Sequence, residues 1–271
     1  MSTDKFKIKT IKIEDSVDRL IFVSDIHSHI DSLVVVNSLI SKFDVHFKLG
    51  CNGDIFHAGP QPIEALNWVM QNAGELCILG NHDEAVLENP SESDPIYLDT
   101  GVSKLLDEKQ KSYLEALPSE INIEWKGKRI KMIHGHRDYE DKAGSPFFTP
   151  TQAAERFAHA DFDMVILGHS HLPSVRNHNG SLVVNCGSVS FNWHKKLSKD
   201  NKTPITKNDP NAPEPNVGNK VSFLTLTEKD RNLIPEHIYF NYDFQPSFDK
   251  MKQLGFPDIE RLERWYSEGI I

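Results

Sequence analysis

Histidine, aspartate and asparagine recur in five short segments, and these residue types at this spacing could hold metal ions. The segments carry Asp25 and His27, then Asp54, then Asn81 with His82 and Asp83, then His134 with His136, and finally His169 with His171. Imidazole, carboxylate and amide groups without cysteine suit Mn²⁺, Fe or Zn²⁺ rather than a thiolate zinc site. Four histidines and two aspartates exceed what one catalytic ion with an open position uses. Two ions that share a carboxylate would use them all, and such ion pairs serve phosphoester hydrolysis.

Each segment follows a short apolar run that is typical of a β-strand, and a sixth run precedes Asn185. These runs cover residues 20–23, 45–49, 76–79, 130–133, 164–167 and 182–184. Ligands of open α/β sheets bind beyond the carboxyl ends of the strands, so we expect the polar segments to converge on one site. Asp25 and His27 are two residues apart, which places them on the same face of an extended backbone. The same spacing relates His169 to His171.

Segments with helical periodicity alternate with these runs, and this alternation predicts an α/β layered domain. The predicted helices cover residues 30–43, 62–72, 102–117 and 151–160. Later in the chain we predict strands over 221–227 and 236–242 and helices over 248–254 and 258–266.

The whole chain, residues 1–271, is predicted to form a single domain with one polar interruption. Residues 198–220 contain four prolines among Asn, Asp, Lys and Thr. Such a composition cannot offset the entropy of ordering, so a flexible surface loop is predicted there, with an active-site lid as the alternative. Residues 245–271 are predicted to form a C-terminal helical tail.

Charge and cysteine content argue against nucleic-acid binding and against disulfide or cysteine-based zinc sites. The chain has 30 Lys and Arg against 39 Asp and Glu, a net charge of −9. This acidic balance argues against a partner such as long nucleic acid, whose binding needs clustered Lys and Arg. Three scattered cysteines indicate neither a disulfide framework nor a cysteine zinc site. No secretory signal and no apolar run of about 18–20 residues is found, so we expect a soluble, cytoplasmic protein without a membrane partner.

The order of the motifs matches a known signature. The series Asp25-x-His27, Gly53-Asp54, Gly80-Asn81-His82-Asp83, His134 and Gly168-His169-Ser170-His171 resembles the five motif blocks of calcineurin-like metallophosphoesterases. The segments around residues 53–62 and 185–189 resemble the bacterial branch of small phosphodiesterases and dinucleoside-tetraphosphatase-like proteins. The resemblance implies an α/β fold in which a two-sheet β-sandwich is flanked by helices, an αββα arrangement with a dinuclear site at one edge.

The same resemblance assigns seven side chains to metal binding, three to each of two ions and one to both. They are Asp25, His27 and His171 for the first ion, Asn81, His134 and His169 for the second, and Asp54 as the bridge. The implied cofactors are two divalent cations, with Mn²⁺ preferred to Fe, Zn, Ni or Co.

The expected chemistry is an in-line attack on phosphorus. Two cations that share a carboxylate lower the pKa of a bridging water and yield hydroxide near neutral pH. His82 adjoins the ligand Asn81 and is not itself a ligand, so it is the candidate acid for the leaving alkoxide. Asp83 is expected to orient its imidazole and to favour the charged form.

Two departures from the family pattern affect this expectation. Cys51 and Asn52 stand between Leu49-Gly50 and Gly53-Asp54, which we interpret as a bulge or a longer turn. Phe56-His57-Ala58 replaces the Asp-Arg of related protein phosphatases, whose arginine grips a phosphomonoester. His57, His136 and Trp193 are the candidate substrate contacts. The alternatives are a solvated loop for His57, support of a metal ligand or a loop position for His136, and core packing for Trp193.

The predicted function is hydrolysis of a small, nucleotide-like phosphate ester by a dinuclear phosphodiesterase or phosphatase. The alternatives are a phosphomonoesterase acting on a phosphoprotein or a sugar phosphate, and a non-catalytic scaffold of the same fold. The predicted partner is a small phosphate-ester substrate, and a homo-oligomer is compatible with the sequence.

Overall fold

The computed structural model describes residues 7–136, 150–191, 220–260 and 262–263, which contain two β-sheets. The strands are β1 (Ile8–Lys12), β2 (Arg19–Val23), β3 (Phe47–Cys51), β4 (Glu120–Trp125), β5 (Lys128–Ile133), β6 (Met164–Leu167), β7 (Ser174–His178), β8 (Ser181–Asn185), β9 (Lys220–Lys229) and β10 (Asn232–Asn241). The helices are α1 (Ile30–Ile40), α2 (Pro62–Asn72), α3 (Asn81–Glu88), α4 (Asp99–Val102), α5 (Glu108–Ala116), α6 (Pro150–Phe157) and α7 (Gln245–Gln253).

The strand order places the functional strands side by side. One sheet has the order β1-β4-β5-β6-β8-β7 and the other has the order β10-β9-β2-β3. β2 and β3 pair in parallel, and β5, β6 and β8 also run parallel to one another. The carboxyl ends of neighbouring parallel strands therefore lie at one edge within each sheet. The backbone N–H of Val189 donates to the carbonyl of Ser24 (3.1 Å), which joins these edges of the two sheets.

Alternation along the strands divides the apolar core into layers, because successive side chains of a strand point to opposite faces. Leu20 and Phe22 of β2 are fully buried against the other sheet, where they pack with residues such as Ile123 of β4. Ile21 and Val23 point the other way and pack beneath the helices.

Helices cover both outer faces of the sandwich. Leu33 of α1, Leu66 of α2 and Leu114 of α5 bury their side chains against the face that β2 and β9 present. On the opposite side, Phe157 of α6 packs on Val165 of β6. The observed αββα sandwich confirms the predicted fold class.

Local secondary structure differs from the sequence prediction at two predicted elements and at several elements that were not predicted. The strand over 76–79 is wrong: only Cys77 bridges to Cys51, and Leu79 donates its N–H to the carbonyl of Pro118 instead. The helix over 102–117 is also wrong as a single element, because Asp107 caps a new helix, α5, by accepting the N–H of Gln110 (2.8 Å). The structure adds α3 directly after Gly80 and the strands β1, β4 and β7, which the apolar runs did not mark.

The segment before Gly53 is neither a bulge nor a longer turn. β3 continues through Cys51, which pairs with Val23 of β2, so Gly50 and Cys51 lengthen the strand. Asn52 then donates its N–H to the carbonyl of Val23 (2.8 Å) and ends the pairing.

Several predictions fall on residues outside the described ranges. They are Trp193, the polar loop 198–220 up to the first residue of β9, and the end of the tail beyond residue 263. Among the described residues, no helix combines the length and apolar character needed to cross a bilayer.

Candidate active site

The described turns after four strands, together with the start of α3, bring the predicted ligand residues to one edge of the sandwich. Asp25 follows β2, Asp54 follows β3, His134 follows β5, and His169 and His171 follow β6. Asn81 is the first residue of α3. All of these residues except Asn81 and His169 are at least nine-tenths buried, and their ligand atoms form two groups.

The backbone at these ligands is left-handed rather than extended. The φ angles are 55° at Asp25, 49° at His27, 55° at Asp54, 64° at His169 and 56° at His171. Our prediction that an extended backbone places each pair on one face is therefore wrong, although each pair does reach the site. Left-handed non-glycine residues cost about 1–3 kcal/mol each and cluster at functional sites, where the surrounding structure holds them.

The first group contains Asp25, His27 and His171, whose ligand atoms all lie within 4.8 Å of one another. Asp25 Oδ1 is 3.2 Å from His171 Nε2, and the Nε2 atoms of His27 and His171 face each other at 3.0 Å. The Asp25 carboxylate accepts the backbone N–H of His169, and the hydroxyls of Ser188 and Ser190 donate to the Asp25 carbonyl at 2.8 Å each. These bonds fix Asp25 between the two sheets.

The second group contains Asp54, His134 and His169 within the same 4.8 Å limit. His134 Nε2 lies 3.1 Å from Asp54 Oδ2. Asn81 joins this group because its Oδ1 is 2.9 Å from His169 Nδ1. The structure thus brings together the two sets of side chains that the resemblance assigned to two ions.

Burial and mutual charge set the protonation of these side chains. Burial and the neighbouring His171 lower the pKa of His27, and burial with His134 lowers that of His169 to about 3, so both rings are neutral and keep a lone pair. Burial alone would raise the pKa of Asp54, but the nearby imidazoles of His134 and His82 lower it by more than burial raises it, so this carboxylate is ionised. Burial opposes the charged form of His134, but the Asp54 carboxylate raises its pKa to about 10.

Three observations show that the side chains of the two groups are suited to bind divalent cations. His134 holds its Nδ1 on the carbonyl of Asn52 (2.7 Å) and His171 holds its Nδ1 on that of Phe191 (2.8 Å). Metal-ligating histidines use the second nitrogen in this way, which fixes the tautomer and directs Nε2 to the ion. The close Nε2 pair of His27 and His171 suits a shared cation, which both lone pairs could bind. His134 Nε2 is buried and has no aligned hydrogen bond within the described part of the chain.

His82 lies beside both groups, but Asp83 does not orient it. One nitrogen of His82 is within 4.8 Å of ligand atoms of His27 and Asp54. The buried Asp83 carboxylate instead accepts backbone N–H groups of Gly80, Asp54 and Ile55 at 2.9 Å each, so the predicted contact is wrong. Asp99 takes that position, with Oδ2 2.6 Å from His82 Nδ1. The sequence gives no spacing signal for Asp99, because it begins the short helix α4 rather than following a strand.

The candidate substrate contacts have different surroundings. The ring of His57 stacks on His82 with centroids 3.8 Å apart, and its side chain is 37% exposed. His136 Nε2 contacts Glu84 Oε2 at 3.1 Å, and its ring lies 5.5 Å from that of His134. Both histidines therefore border the ligand groups, whereas Trp193 lies outside the described residues.

The chain resembles known proteins in both sequence and structure. A sequence model of the calcineurin-like phosphoesterase superfamily domain matches residues 19–199. An uncharacterized protein of Methanocaldococcus jannaschii is 27% identical over 254 residues, which are 92% of this chain and 95% of the relative. A metallophosphoesterase from Sphaerobacter thermophilus shares 20% identity with a TM-score of 0.64, covering 91% of this chain and 98% of its own. A hypothetical protein from Pyrococcus horikoshii OT3 shares 16% identity with a TM-score of 0.66, covering 92% and 98%.

Proposed function

Because the chain belongs to the calcineurin-like phosphoesterase superfamily, we propose that it is a hydrolase that uses two divalent cations to cleave small phosphate esters. The observation that carries this proposal is the pair of ligand groups at one sheet edge, Asp25 with His27 and His171, and Asp54 with His134 and His169. When bound, two such cations supply charge stabilisation to the phosphoryl oxygens and lower the pKa of a water that they share.

The chain itself holds and orients the reacting groups. Asp54 is the candidate bridging carboxylate, because its two oxygens have different partners and its ligand atoms border both groups. Backbone hydrogen bonds tie the left-handed turns at Asp25 and Asp54 to each other, because the Asp25 N–H donates to the Gly53 carbonyl and the Ile26 N–H donates to the Asp54 carbonyl. The ligand atoms are therefore placed before substrate arrives. Such preorganisation avoids the cost of reorienting dipoles during the reaction.

His82 is the candidate proton donor to the leaving oxygen. Burial lowers its pKa, but the carboxylates of Asp54 and Asp99 raise it more, so the charged imidazolium is favoured. Its side chain is 23% exposed, so a substrate held at the two ligand groups can reach it. General acids of this kind contribute about 10²–10⁴-fold to rate.

The local side chains favour a small phosphodiester over a phosphoprotein. His57 stands where related protein phosphatases place residues that include an arginine, and its Nδ1 is already engaged by Asp99 at 3.1 Å. A bidentate arginine clamp suits the terminal phosphoryl group of a monoester, and a single imidazole cannot replace it. A diester needs no such clamp. The seven ligand positions all carry liganding side chains, and we therefore do not propose the scaffold alternative.

A substrate panel tests this proposal. Purified protein supplied with Mn²⁺ would be assayed with an aryl phosphodiester, the matching aryl monoester, a cyclic nucleotide and a dinucleoside polyphosphate. We expect hydrolysis of the diester to exceed that of the monoester. The double variant Asp25→Asn and Asp54→Asn serves as the control for contaminating activity. Equal rates from the wild type and this double variant on every ester would refute the hydrolase, whereas a monoester preference would overturn the substrate class only.

A further inference from the structure

Asp99 is held firmly in place beside the proposed acid. It is the first residue of α4, which packs against α3. The hydroxyl of Thr100 donates to Asp94 Oδ2 at 2.6 Å, which closes the segment before the helix. The backbone at Gly101 packs so closely that an added Cβ would lie 2.3 Å from the carbonyl oxygen of Pro95. The chain around Asp99 therefore has little room to shift.

The Asp99 carboxylate divides its two oxygens between two imidazoles. Oδ2 lies 2.6 Å from His82 Nδ1, and Oδ1 lies 3.1 Å from His57 Nδ1. The two rings stack with an interplanar angle of 20°, and the Asp99 side chain is only 14% exposed. With each oxygen engaged by a different ring, rotation of the carboxylate breaks at least one bond. His57 thus helps to fix the carboxylate that contacts His82.

The contacts of Asp99 keep its carboxylate ionised. Burial would raise the pKa of Asp99, but the hydrogen bonds from His57 and His82 lower it, so the carboxylate is ionised. Hydrogen bonds between ionised groups are shorter and roughly twice as strong as neutral ones. The 2.6 Å separation agrees with such a bond.

The carboxylates of Asp83 and Asp54, which are also near His82, have other hydrogen-bond partners. Asp83 is occupied by the backbone N–H groups of Gly80, Asp54 and Ile55. Asp54 contacts the backbone N–H of His82 rather than its ring, and its second oxygen faces His134. Among the described residues, Asp99 is therefore the carboxylate placed to orient the His82 ring.

We propose that Asp99 is a positioning residue for His82. It holds the ring through Nδ1 and leaves Nε2 to donate the proton to the leaving oxygen. In that step a water oxygen forms a new bond to phosphorus and releases a proton to solvent, while the bond between phosphorus and the leaving oxygen breaks. The leaving oxygen takes the Nε2 proton, so the alcohol departs neutral. Solvent water then restores the proton to His82. This role rests on the proposed hydrolase function.

Leaving-group dependence tests the role in catalysis. Asp99→Asn keeps the shape of the side chain but removes its charge, and Asp107→Asn removes a carboxylate from the neighbouring α5 cap. On a phenyl phosphodiester we expect Asp99→Asn to lower kcat by about 10–100-fold, the loss typical when an orienting partner is removed. On a 4-nitrophenyl phosphodiester, whose leaving group needs little protonation, the loss is expected to be far smaller. Asp107→Asn should match the wild type on both esters.

A double variant separates positioning from a structural effect. Residues that act as one unit are strongly non-additive. The pair His82→Ala with Asp99→Asn should therefore be no slower than His82→Ala alone. Additive losses, or equal losses on both esters, would overturn the proposal. A third bound cation in the wild type that is absent from Asp99→Asn would show that His57, His82 and Asp99 form a metal site instead.

A spectroscopic measurement decides the contact even if no ester is hydrolysed. In metal-free protein with ¹⁵N-labelled histidine, the His82 Nδ1 proton should give a strongly downfield NMR signal. We expect this signal in the wild type and in Asp107→Asn, and we expect it to be lost in Asp99→Asn and His82→Gln. Its persistence in Asp99→Asn would overturn the positioning contact. If the wild type shows this signal but hydrolyses none of the esters, the proposed function is refuted while the contact between Asp99 and His82 stands.

Discussion

The two oxygens of the Asp54 carboxylate have separate partners, which is the geometry expected of a bridging ligand. Oδ1 accepts the backbone N–H of His82 at 3.0 Å, while Oδ2 lies 3.1 Å from His134 Nε2. Its backbone is held in a left-handed conformation with φ of 55°. A neutral amide cannot supply the charge that two cations share at this point.

Asp54→Asn should therefore lose metal and activity together. We expect metal content to fall by at least one ion per chain and the hydrolysis rate to fall by at least about 100-fold. Elemental analysis of the dialysed protein and a diester assay measure both. Asp163→Asn, at a carboxylate that accepts the N–H of Arg129 instead, is the matched control. Unchanged metal content in Asp54→Asn would mean that another carboxylate bridges.

Asp83 contributes to stability rather than to orientation of His82. Its buried carboxylate satisfies the backbone N–H groups of Gly80, Asp54 and Ile55. Asp83→Ala leaves these buried donors without an acceptor, at about 1–3 kcal/mol for each group left unsatisfied. We expect the free energy of unfolding of the metal-free protein to fall by roughly 3 kcal/mol, measured by urea unfolding. Asp83→Asn keeps one acceptor and should lose less, and a wild-type midpoint for Asp83→Ala would contradict this role.

At the scale of secondary structure, α3 must begin very close to Asp54. Gly80 precedes the helix, and a Cβ built there would lie 2.1 Å from Asp54 Oδ1 and 2.4 Å from the Asp54 backbone nitrogen. Glycine is needed at this position because the backbone of Asp54 approaches so closely.

Gly80→Ala should displace the Asp54 carboxylate or the start of α3. We expect weaker metal binding and at least a tenfold loss of diester hydrolysis, since orienting groups of a metal site cost about 10–100-fold when disturbed. Gly74→Ala is the control, because it replaces a glycine with a left-handed backbone (φ of 55°) at which an added Cβ meets no atom within 4 Å. Metal affinity that is the same in both variants would show that the close approach at Gly80 has no effect on the site.

β10 reaches the site through a half-buried histidine. His237 Nε2 donates to the carbonyl of Asn185 (2.7 Å), and Asn185 Nδ2 donates to the carbonyl of Gly168 and to Ser170 Oγ in the turn that carries two proposed ligands. Burial lowers the pKa of His237 below its ordinary value, which the carbonyl contact only partly offsets.

The lowered pKa of the His237 imidazole predicts a pH dependence of stability. Because the pKa is lowered in the folded state, the unfolded chain binds more protons as pH falls through the ordinary histidine value, and stability decreases with it. We expect the Tm of the wild type to fall more between pH 7 and pH 5 than that of His237→Gln, measured by thermal unfolding. An equal fall in both proteins would show that His237 does not contribute to this dependence.

The burial of each strand explains whether it could be predicted from the sequence. Runs such as that of β6 are apolar on both faces and were predicted, because both faces are buried between helices and the second sheet. β4 alternates buried with more exposed residues and contains no apolar run. The ligand residues other than Asn81 could be predicted because each lies a few residues after a strand. Asp99 could not be predicted, since only the fold brings it to His82.

At the scale of the whole molecule, the site is built from the two sheets jointly. β2 and β3 of one sheet supply Asp25 and Asp54, and β5 and β6 of the other supply His134 and His169. The chain has a net charge of −9, so a phosphate ester finds no general attraction to it. In the proposed mechanism two divalent cations at the joined edges provide the positive charge locally.

The most direct test of this account is a Mn²⁺ titration of chelator-treated protein during hydrolysis of an aryl phosphodiester, with bound metal measured at each point. We expect no hydrolysis by the metal-free protein and a rate that reaches its plateau when about two ions are bound per chain. A metal-free preparation with the full rate, or a plateau at one bound ion, would contradict it.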